Sequence, residues 1–303
     1  MRSLYGIQQL IMVLQEKQFA VRFGNLAAQV CLTDSPKPIL LMLHGWQDNS
    51  GSFEPLAPLL TEHVDLVMPD WPGHGLSDHK GADSFYPFFD YVDDLHQLIL
   101  QLSDKPIFLV GHSLGALVAS CWSAAFPERA KGLVMIEALG PMSERDDKVV
   151  DRLRHGVESR LKMKVPRTLP SLDAALKLRR GINKVSIEDL TPLVTRGIQQ
   201  VGEEWRWRHD AKLKTDSIYR MSTHHAEHLI KGIQCPVLAI IGEDGYPELR
   251  SPLAEQRKEW FKNLTVEMVE GTHHCHLQSQ QKTAALIIDF VTKLHLTMRD
   301  DVN

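Results

Sequence analysis

The sequence lacks the features that mark disulfide-rich, secreted and membrane-spanning proteins. Its 303 residues include only four cysteines, and no two of them form a Cys-x-x-Cys pair. Scattered cysteines predict free thiols in a reducing cytoplasm rather than a disulfide framework. No apolar run reaches the roughly 18 residues that a spanning helix needs. The first apolar stretch is short and is followed by no small-x-small cleavage site, so we do not expect a secretory signal.

Neither sign of charge dominates the chain. It has 34 lysines and arginines against 38 acidic residues, which gives a formal net charge of −4 at pH 7. This balance provides no electrostatic basis for binding nucleic acid or an anionic membrane. The hydrophobic fraction of 43% and the charged fraction of 24% are ordinary for a globular protein. We therefore expect a cytoplasmic protein whose partner is a small neutral or weakly polar molecule.

Short apolar runs recur along the chain and suit strands that are buried on both faces of a parallel sheet. They cover residues 38–43, 64–68, 106–110, 132–136, 236–241 and 264–269. Residues 17–32 predict two further strands around a turn at Gly24-Asn25. Helical spacing of apolar residues separates these strands at 53–60, 86–102, 114–126, 253–261 and 283–294. The alternation predicts an α/β fold with a mostly parallel, eight-stranded sheet and helices on both faces.

One segment interrupts this alternation. Residues 141–230 contain many charges and helical spacings but no clear strand. We interpret them as a helical cap inserted between two parts of a core domain, residues 1–140 and 231–303. Ligands of such sheets bind beyond the carboxyl ends of the strands. A cap at that end would shape the substrate pocket.

The motif that carries most chemical information is Gly-His-Ser-Leu-Gly at residues 111–115. It follows a predicted strand directly and precedes a predicted helix. A sharp turn between strand and helix holds the central residue in a strained backbone conformation and requires glycine two residues away on each side. The helix N-terminus also favours developing negative charge. The motif predicts Ser113 as a catalytic nucleophile and the backbone N–H of Leu114 as one donor of an oxyanion hole.

Further stretches resemble the α/β-hydrolase family along nearly the whole chain. His44-Gly45-Trp46 resembles the family's oxyanion-loop motif, and residues 70–78 resemble its turn after the fourth strand. Residues 44–53, 195–210 and 271–276 are similar to serine hydrolase-like proteins related to the insect kraken protein. The resemblance implies a serine hydrolase that uses no cofactor and no metal, with the backbone N–H of Trp46 as the second oxyanion donor.

The base and the acid of a catalytic triad should follow the nucleophile in the order acid, then histidine. The family's Gly-x-His pattern implies His273 as the base, with His274 and His276 as alternatives on the same loop. Glu137, after the sixth strand, and Asp244, after the seventh, are both candidates for the acid. We prefer Glu137 narrowly, because it resembles the acid that haloalkane dehalogenases take from this strand. Glu137 also has another interpretation, as a non-catalytic acid that holds the cap.

Other readings of the motifs lead to other kinds of site. Residues 224–228 match the His-x-x-Glu-His pattern of zinc proteases, but a solvated helix with paired charges fits them better. The late histidines together with Cys275 could be read as a metal site, although adjacent residues do not easily face one tetrahedral ion. The motifs also leave open a cofactor-free dioxygenase or a silent ligand-binding module. We expect hydrolysis of an ester or related acyl bond; the substrate and the oligomeric state are not predictable from the sequence.

Overall fold

The computed structural model describes residues 13–163 and 167–300. Within these ranges the strands and helices alternate along most of the chain. The strands are β1 (Gln15–Val21), β2 (Gly24–Cys31), β3 (Ile39–Leu43), β4 (Asp65–Pro69), β5 (Ile107–His112), β6 (Ala130–Ile136), β7 (Ser143–Glu144), β8 (Ile198–Val201), β9 (Glu204–Trp207), β10 (Met221–Ser222), β11 (Val237–Gly242) and β12 (Leu264–Val269). The helices are α1 (Ala57–Leu60), α2 (Phe88–Ile99), α3 (Leu114–Ala125), α4 (Val149–Leu161), α5 (Leu172–Asn183), α6 (Ile187–Gly197), α7 (Thr223–Gly232), α8 (Pro252–Lys258), α9 (Cys275–Gln278) and α10 (Gln280–Asp300).

Eight of the strands form one sheet in the order β1-β2-β4-β3-β5-β6-β11-β12. Strand β2 is antiparallel to both of its neighbours, and every other neighbouring pair is parallel. The predicted eight-stranded, mostly parallel α/β sheet is confirmed. Because the carboxyl ends of the parallel strands meet at one edge, the loops after β3, β5, β6, β11 and β12 gather there.

The first hairpin turns two residues earlier than the sequence predicts. Val21 pairs with Gly24, so the turn consists of Arg22 and Phe23. The Gly24-Asn25 pair instead begins β2, where the backbone N–H of Asn25 donates to Asp78 at 2.8 Å. The Gly24-Asn25 pair, which suggests a turn in the sequence, is therefore explained by a contact with a distant loop.

Burial on both faces of the sheet explains the wholly apolar strands. In β3, Leu40 packs into the cluster that contains Leu60 of α1 and Ile287 of α10. Its neighbour Leu41 packs into the opposite cluster, which contains Trp122 of α3. Successive side chains of a strand point to opposite faces. A strand covered by helices on both sides therefore has no polar alternation.

The segment between β6 and β11 contains more strands than predicted. Besides four helices, α4 to α7, it forms two small sheets, β7 with β10 and β8 with β9. Each of these strands has two to four residues, which is too short for a visible period-2 pattern. Helices α5 and α6 pack on each other, and the side-chain amide of Asn49, in the loop after β3, donates to the carbonyl of Leu193 in α6 at 2.9 Å. The cap boundaries of 141 and 230 stay a prediction.

The structure also describes the helices and most of the thiols to which the expectations from composition apply. Among the helices of residues 13–163 and 167–300, none combines the length and apolarity needed to cross a bilayer. Cys121, Cys235 and Cys275 are buried free thiols. Burial raises the pKa of each of these three thiols to about 12, so they stay protonated at neutral pH.

Candidate active site

Ser113 occupies a sharp turn between β5 and α3. Its backbone has φ 48° and ψ −117°, a conformation that costs a non-glycine residue about 1–3 kcal/mol. The turn is held because the N–H of Ser113 donates to the carbonyl of Ile136 at 3.0 Å. A side chain on Gly115 would collide with the carbonyl of Leu43 in the neighbouring strand. The predicted elbow is therefore present, with Ser113 half-buried at the carboxyl edge of the sheet.

His273 and Glu137 contact each other at this edge. His273 Nδ1 lies 3.2 Å from Glu137 Oε2, with side-chain exposures of 18% and 0%. Since a carboxylate accepts hydrogen bonds, this contact favours a proton on Nδ1 and leaves Nε2 of His273 as an acceptor. The ring of Tyr246 packs against the imidazole of His273, with centroids 4.0 Å apart.

Glu137 is fixed by the backbone of the loop after β11. Oε1 accepts from the N–H of Gly242 at 2.8 Å, and Oε2 accepts from the N–H of Tyr246 at 3.0 Å. Its own backbone has φ 55°. A Cβ on Gly245 would collide with the Glu137 carboxylate, so that loop passes too close for any other residue. These constraints aim the Glu137 carboxylate at His273.

Asp244 lies on the same loop but is exposed to solvent. Its backbone N–H donates to the carbonyl of Gly271 at 2.9 Å. In the described part of the chain its carboxylate makes no hydrogen bond to His273. Of the two candidate acids, the structure brings only Glu137 to the histidine.

Two buried histidines hold the loop that contains Trp46. His44 Nε2 accepts from the N–H of Trp71 at 2.9 Å, and His74 Nε2 accepts from the N–H of Gln47 at 3.1 Å. Each Nδ1 then donates to a carbonyl, of Gly45 and of Pro72 respectively. Burial lowers the pKa of His44 to about 4 and that of His74 to about 3, so both rings are neutral at pH 7.

The two backbone amides predicted to form an oxyanion hole are those of Leu114, at the turn after β5, and of Trp46, in the loop after β3. Leu114 is the first residue of α3, so its N–H has no acceptor within the helix. Trp46 precedes Gln47, whose φ is 60°, and the Trp46 side chain is 52% exposed. Across residues 13–163 and 167–300, neither N–H donates to another protein group. Both are therefore free to donate to a ligand.

The alternative bases occupy different environments. His276 is fully buried against Phe53 and His112, and burial lowers its pKa to about 3. His274 Nε2 lies 3.0 Å from Asp48 Oδ2 instead of near Glu137. A role for Asp48 is not predictable from local sequence patterns, because this contact joins loops that are 226 residues apart.

The sequence patterns that resemble metal-binding motifs form other contacts in the structure. His224 and His228 lie on α7, where the ring of His228 donates to the carbonyl of His224 and Glu227 pairs with Lys231 at 2.6 Å. Within the described ranges, a different group has ligand-like spacing: Asp48, His112 and His274, whose ligand atoms all lie within 4.8 Å of one another. This group does not include Cys275.

The comparisons agree with this architecture. A family model described as alpha/beta hydrolase fold matches residues 38–164. A serine hydrolase-like protein of Danio rerio is 28% identical over 287 residues, which cover 91% of this chain and 88% of the relative. A monoacylglycerol lipase of Bos taurus is 26% identical over 267 residues, 86% of this chain and 77% of that protein. A crystal structure of a hypothetical protein from Pseudomonas aeruginosa PAO1 matches with a TM-score of 0.85 and 29% identity, covering 92% of this chain and 99% of that one.

The fold and the comparisons together define the class of this protein. The chain has the α/β-hydrolase fold, with the parallel sheet and the strand-to-helix elbow in their expected places. Within that fold it resembles serine hydrolase-like proteins over most of its length, as the sequence predicted.

The buried neutral histidines predict a stability that falls in acid. His44, His74 and His276 bind protons less readily in the folded chain than in the unfolded chain, where the ordinary histidine pKa is about 6.5. Below pH 6.5 the unfolded state therefore takes up more protons, and each group lowers the unfolding free energy by up to about 1.4 kcal/mol per pH unit. Urea unfolding at pH 7, 6 and 5 should give a steadily decreasing free energy.

A pair of variants makes this measurement specific. In the variant His74→Gln, the unfolding free energy should depend less steeply on pH between 6 and 5, by an amount that corresponds to about one bound proton. His155→Gln, at an exposed position, should leave the slope unchanged. An unfolding free energy that stays constant from pH 7 to 5 in the unsubstituted protein would contradict the burial of neutral imidazoles.

Proposed function

We propose that this chain is a serine hydrolase that cleaves an ester or related acyl bond of a small molecule. The observation that carries the proposal is the contact of His273 with the buried carboxylate of Glu137, beside the elbow that holds Ser113. The relative named as a monoacylglycerol lipase supports the proposal, because its name describes ester hydrolysis. We assign Ser113 as the nucleophile, His273 as the base and Glu137 as the acid.

The first chemical step transfers a proton and forms a bond. Ser113 Oγ attacks the carbonyl carbon of the substrate while Nε2 of His273 takes the serine proton. Glu137 keeps the proton on Nδ1 and stabilises the imidazolium that results. Ser113 Oγ makes no hydrogen bond within the described ranges, so its contact with His273 belongs to this proposal. Such contacts often form only when substrate binds.

The next steps release the two products. The N–H groups of Trp46 and Leu114 donate to the oxyanion of the tetrahedral intermediate. His273 then returns its proton to the leaving alcohol, which departs and leaves an ester between Ser113 and the acyl group. Water activated by His273 attacks this ester, and the acid product is released together with a regenerated serine.

We further propose that the inserted segment covers this site as a cap. Three contacts support this arrangement: Asn49 with Leu193 of α6, Asp48 with Arg179 of α5, and Asp70 with Arg196 of α6 at 2.8 Å. Each joins a loop at the carboxyl edge of the sheet to a helix of the segment. In this proposal the segment limits which acyl groups reach Ser113. We also propose that the protein acts in the cytoplasm on a small-molecule substrate.

Covalent labelling tests the assignment of Ser113. A fluorophosphonate probe should label the unsubstituted protein, because it reacts with a serine that a neighbouring base activates. Ser113→Ala should abolish labelling, whereas Ser120→Ala, which removes a buried hydroxyl from the same helix, should not. Short nitrophenyl esters should give a burst of nitrophenol equal to the concentration of active protein. Labelling that persists in Ser113→Ala would refute the assignment of Ser113 as the nucleophile.

A pair of carboxylate variants tests the assignment of the acid. Glu137→Gln should lower kcat by about a thousandfold or more, because the amide no longer stabilises the imidazolium. Asp244→Asn should stay within about threefold of the unsubstituted protein, because its side chain is exposed. Steady-state kinetics with a nitrophenyl ester measure both. The opposite ranking would make Asp244 the acid, and no effect from either variant would show that the triad is wrong.

A further inference from the structure

A second histidine–carboxylate pair lies beside the first. His274 Nε2 is 3.0 Å from Asp48 Oδ2, and the two side chains are 12% and 3% exposed. His274 follows His273 directly, while Asp48 lies two residues after Trp46. The pair therefore joins the loop that carries the proposed base to the loop that carries a proposed oxyanion donor.

Helix α5 of the inserted segment holds both members of this pair. Arg179 forms an ion pair with Oδ1 of Asp48, and its side chain is 13% exposed. One turn later, the side-chain amide of Asn183 lies 3.1 Å from His274 Nε2. The backbone carbonyl of Asn183 also accepts from the hydroxyl of Thr272 at 3.3 Å. A single face of α5 thus contacts the oxyanion loop and the histidine loop together.

The residue before the nucleophile completes the connection. His112 Nε2 donates to the carbonyl of His273 at 2.8 Å. Its Nδ1 therefore carries a lone pair; this atom lies 3.8 Å from Asp48 Oδ2 and has no hydrogen-bond partner among the described residues. Burial lowers the pKa of His112 well below its usual value, so the ring is neutral. The elbow and the histidine loop are in this way linked through one neutral imidazole.

His274 and Arg179 together keep the buried Asp48 ionised. Burial alone would raise the pKa of Asp48, but His274 and Arg179 more than offset this and hold it well below its usual range. A carboxylate that loses its partner at such a site is strongly destabilised, because its charge stays buried without compensation. The position of Asp48, and with it that of His274, depends on the guanidinium of Arg179.

Asp48, His112 and His274 have the spacing of metal ligands, but their partners favour another role. Both oxygens of Asp48 are already engaged, Oδ1 by Arg179 and Oδ2 by His274. A divalent cation would have to bind next to the guanidinium and displace the contact with His274. The arrangement is better suited to fixing loops than to holding an ion.

We propose that Asp48, held by Arg179, is a positioning residue for hydrolysis. It fixes His274 and thereby sets the place of His273 relative to the oxyanion loop. Neither Asp48 nor Arg179 exchanges a proton with the substrate in this account. The inference rests on the proposed function, because it concerns the geometry of the Ser113, His273 and Trp46 groups.

The test compares Arg179→Gln, Asp48→Asn and the double variant with the unsubstituted protein. Arg179→Gln should lower kcat and the rate of fluorophosphonate labelling by about 10-fold to 100-fold, the size expected for a misplacement of about 1 Å. KM should change by less than about threefold, since the proposal assigns Asp48 and Arg179 a role in the geometry of the reacting groups and no contact with the substrate. The double variant should lose no more than Asp48→Asn alone, because both changes act on one network.

A conservative variant and a matched control separate positioning from general loss of structure. Arg179→Lys should restore the rate to within about fivefold, because the ion pair to Asp48 uses a single nitrogen of Arg179. Arg152→Gln removes a partly buried arginine–glutamate pair from α4 and touches neither loop. It should leave the labelling rate unchanged even if the melting temperature falls.

The outcomes are distinguishable. If the unsubstituted protein is neither labelled nor active on esters, the proposed function fails and this inference fails with it. If the unsubstituted protein is active and Arg179→Gln keeps its labelling rate, only the positioning role is overturned. Should Arg179→Gln not fold, Asp48→Asn and the double variant, which removes both charges together, decide the question by the same rates.

Discussion

The structure depends on one strained turn, in which Ser113 passes from β5 into α3 with a positive φ. The turn forms only because the glycine two residues later lets the helix approach the neighbouring strand β3 closely. It places the serine at the edge of the sheet where the parallel strands end. The loops that carry Trp46, Glu137 and His273 reach the same edge because they follow β3, β6 and β12.

A second principle of the site is that neutral imidazoles serve as structural hydrogen-bonding groups. His44, His74 and His112 each fix a backbone segment by one ring nitrogen or both, and burial keeps all three uncharged. Two buried carboxylates near the site each pair with an arginine, Asp48 with Arg179 and Asp70 with Arg196. The candidate site is therefore surrounded by hydrogen-bonded imidazoles and paired charges.

The inserted segment contributes to this framework as well as to the proposed pocket. Residues of α5 and α6 contact the loop after β3, the loop after β4 and the loop after β12. Two of these loops carry groups that the proposed chemistry uses. In this account the segment sets the geometry of the site in addition to restricting access to it.

The sequence was sufficient for the parts of the structure that local patterns determine. Apolar runs predict the five inner strands at 38–43, 64–68, 106–110, 132–136 and 236–241 because both faces of these strands are buried, whereas the edge strand at 264–269 is only partly buried and its pattern is weaker. The elbow at Ser113 is recognisable from its glycines. The sequence alone is not sufficient to choose between Glu137 and Asp244 as the acid, since both follow strands that lie side by side. The N–H groups of Gly242 and Tyr246, which only the folded loop brings to Glu137, hold its carboxylate beside His273 and support the proposed assignment.

The contacts of Asp48 are likewise not predictable from local sequence patterns. Its partners Arg179 and His274 lie 131 and 226 residues away, and no spacing rule relates them. The four short strands between β6 and β11 were missed because two to four residues carry too little pattern. Long-range polar contacts are thus the part of the site that required a structure.

The most direct measurement is a crystal structure of the protein after reaction with a phosphonate inhibitor. We expect phosphorus bonded to Ser113 Oγ, with the phosphoryl oxygen about 2.7–3.1 Å from the backbone nitrogens of both Trp46 and Leu114. We also expect that Nε2 of His273 faces the serine oxygen while Nδ1 keeps its contact with Glu137. A phosphoryl oxygen directed away from both amides, or an adduct on another residue, would contradict this expectation.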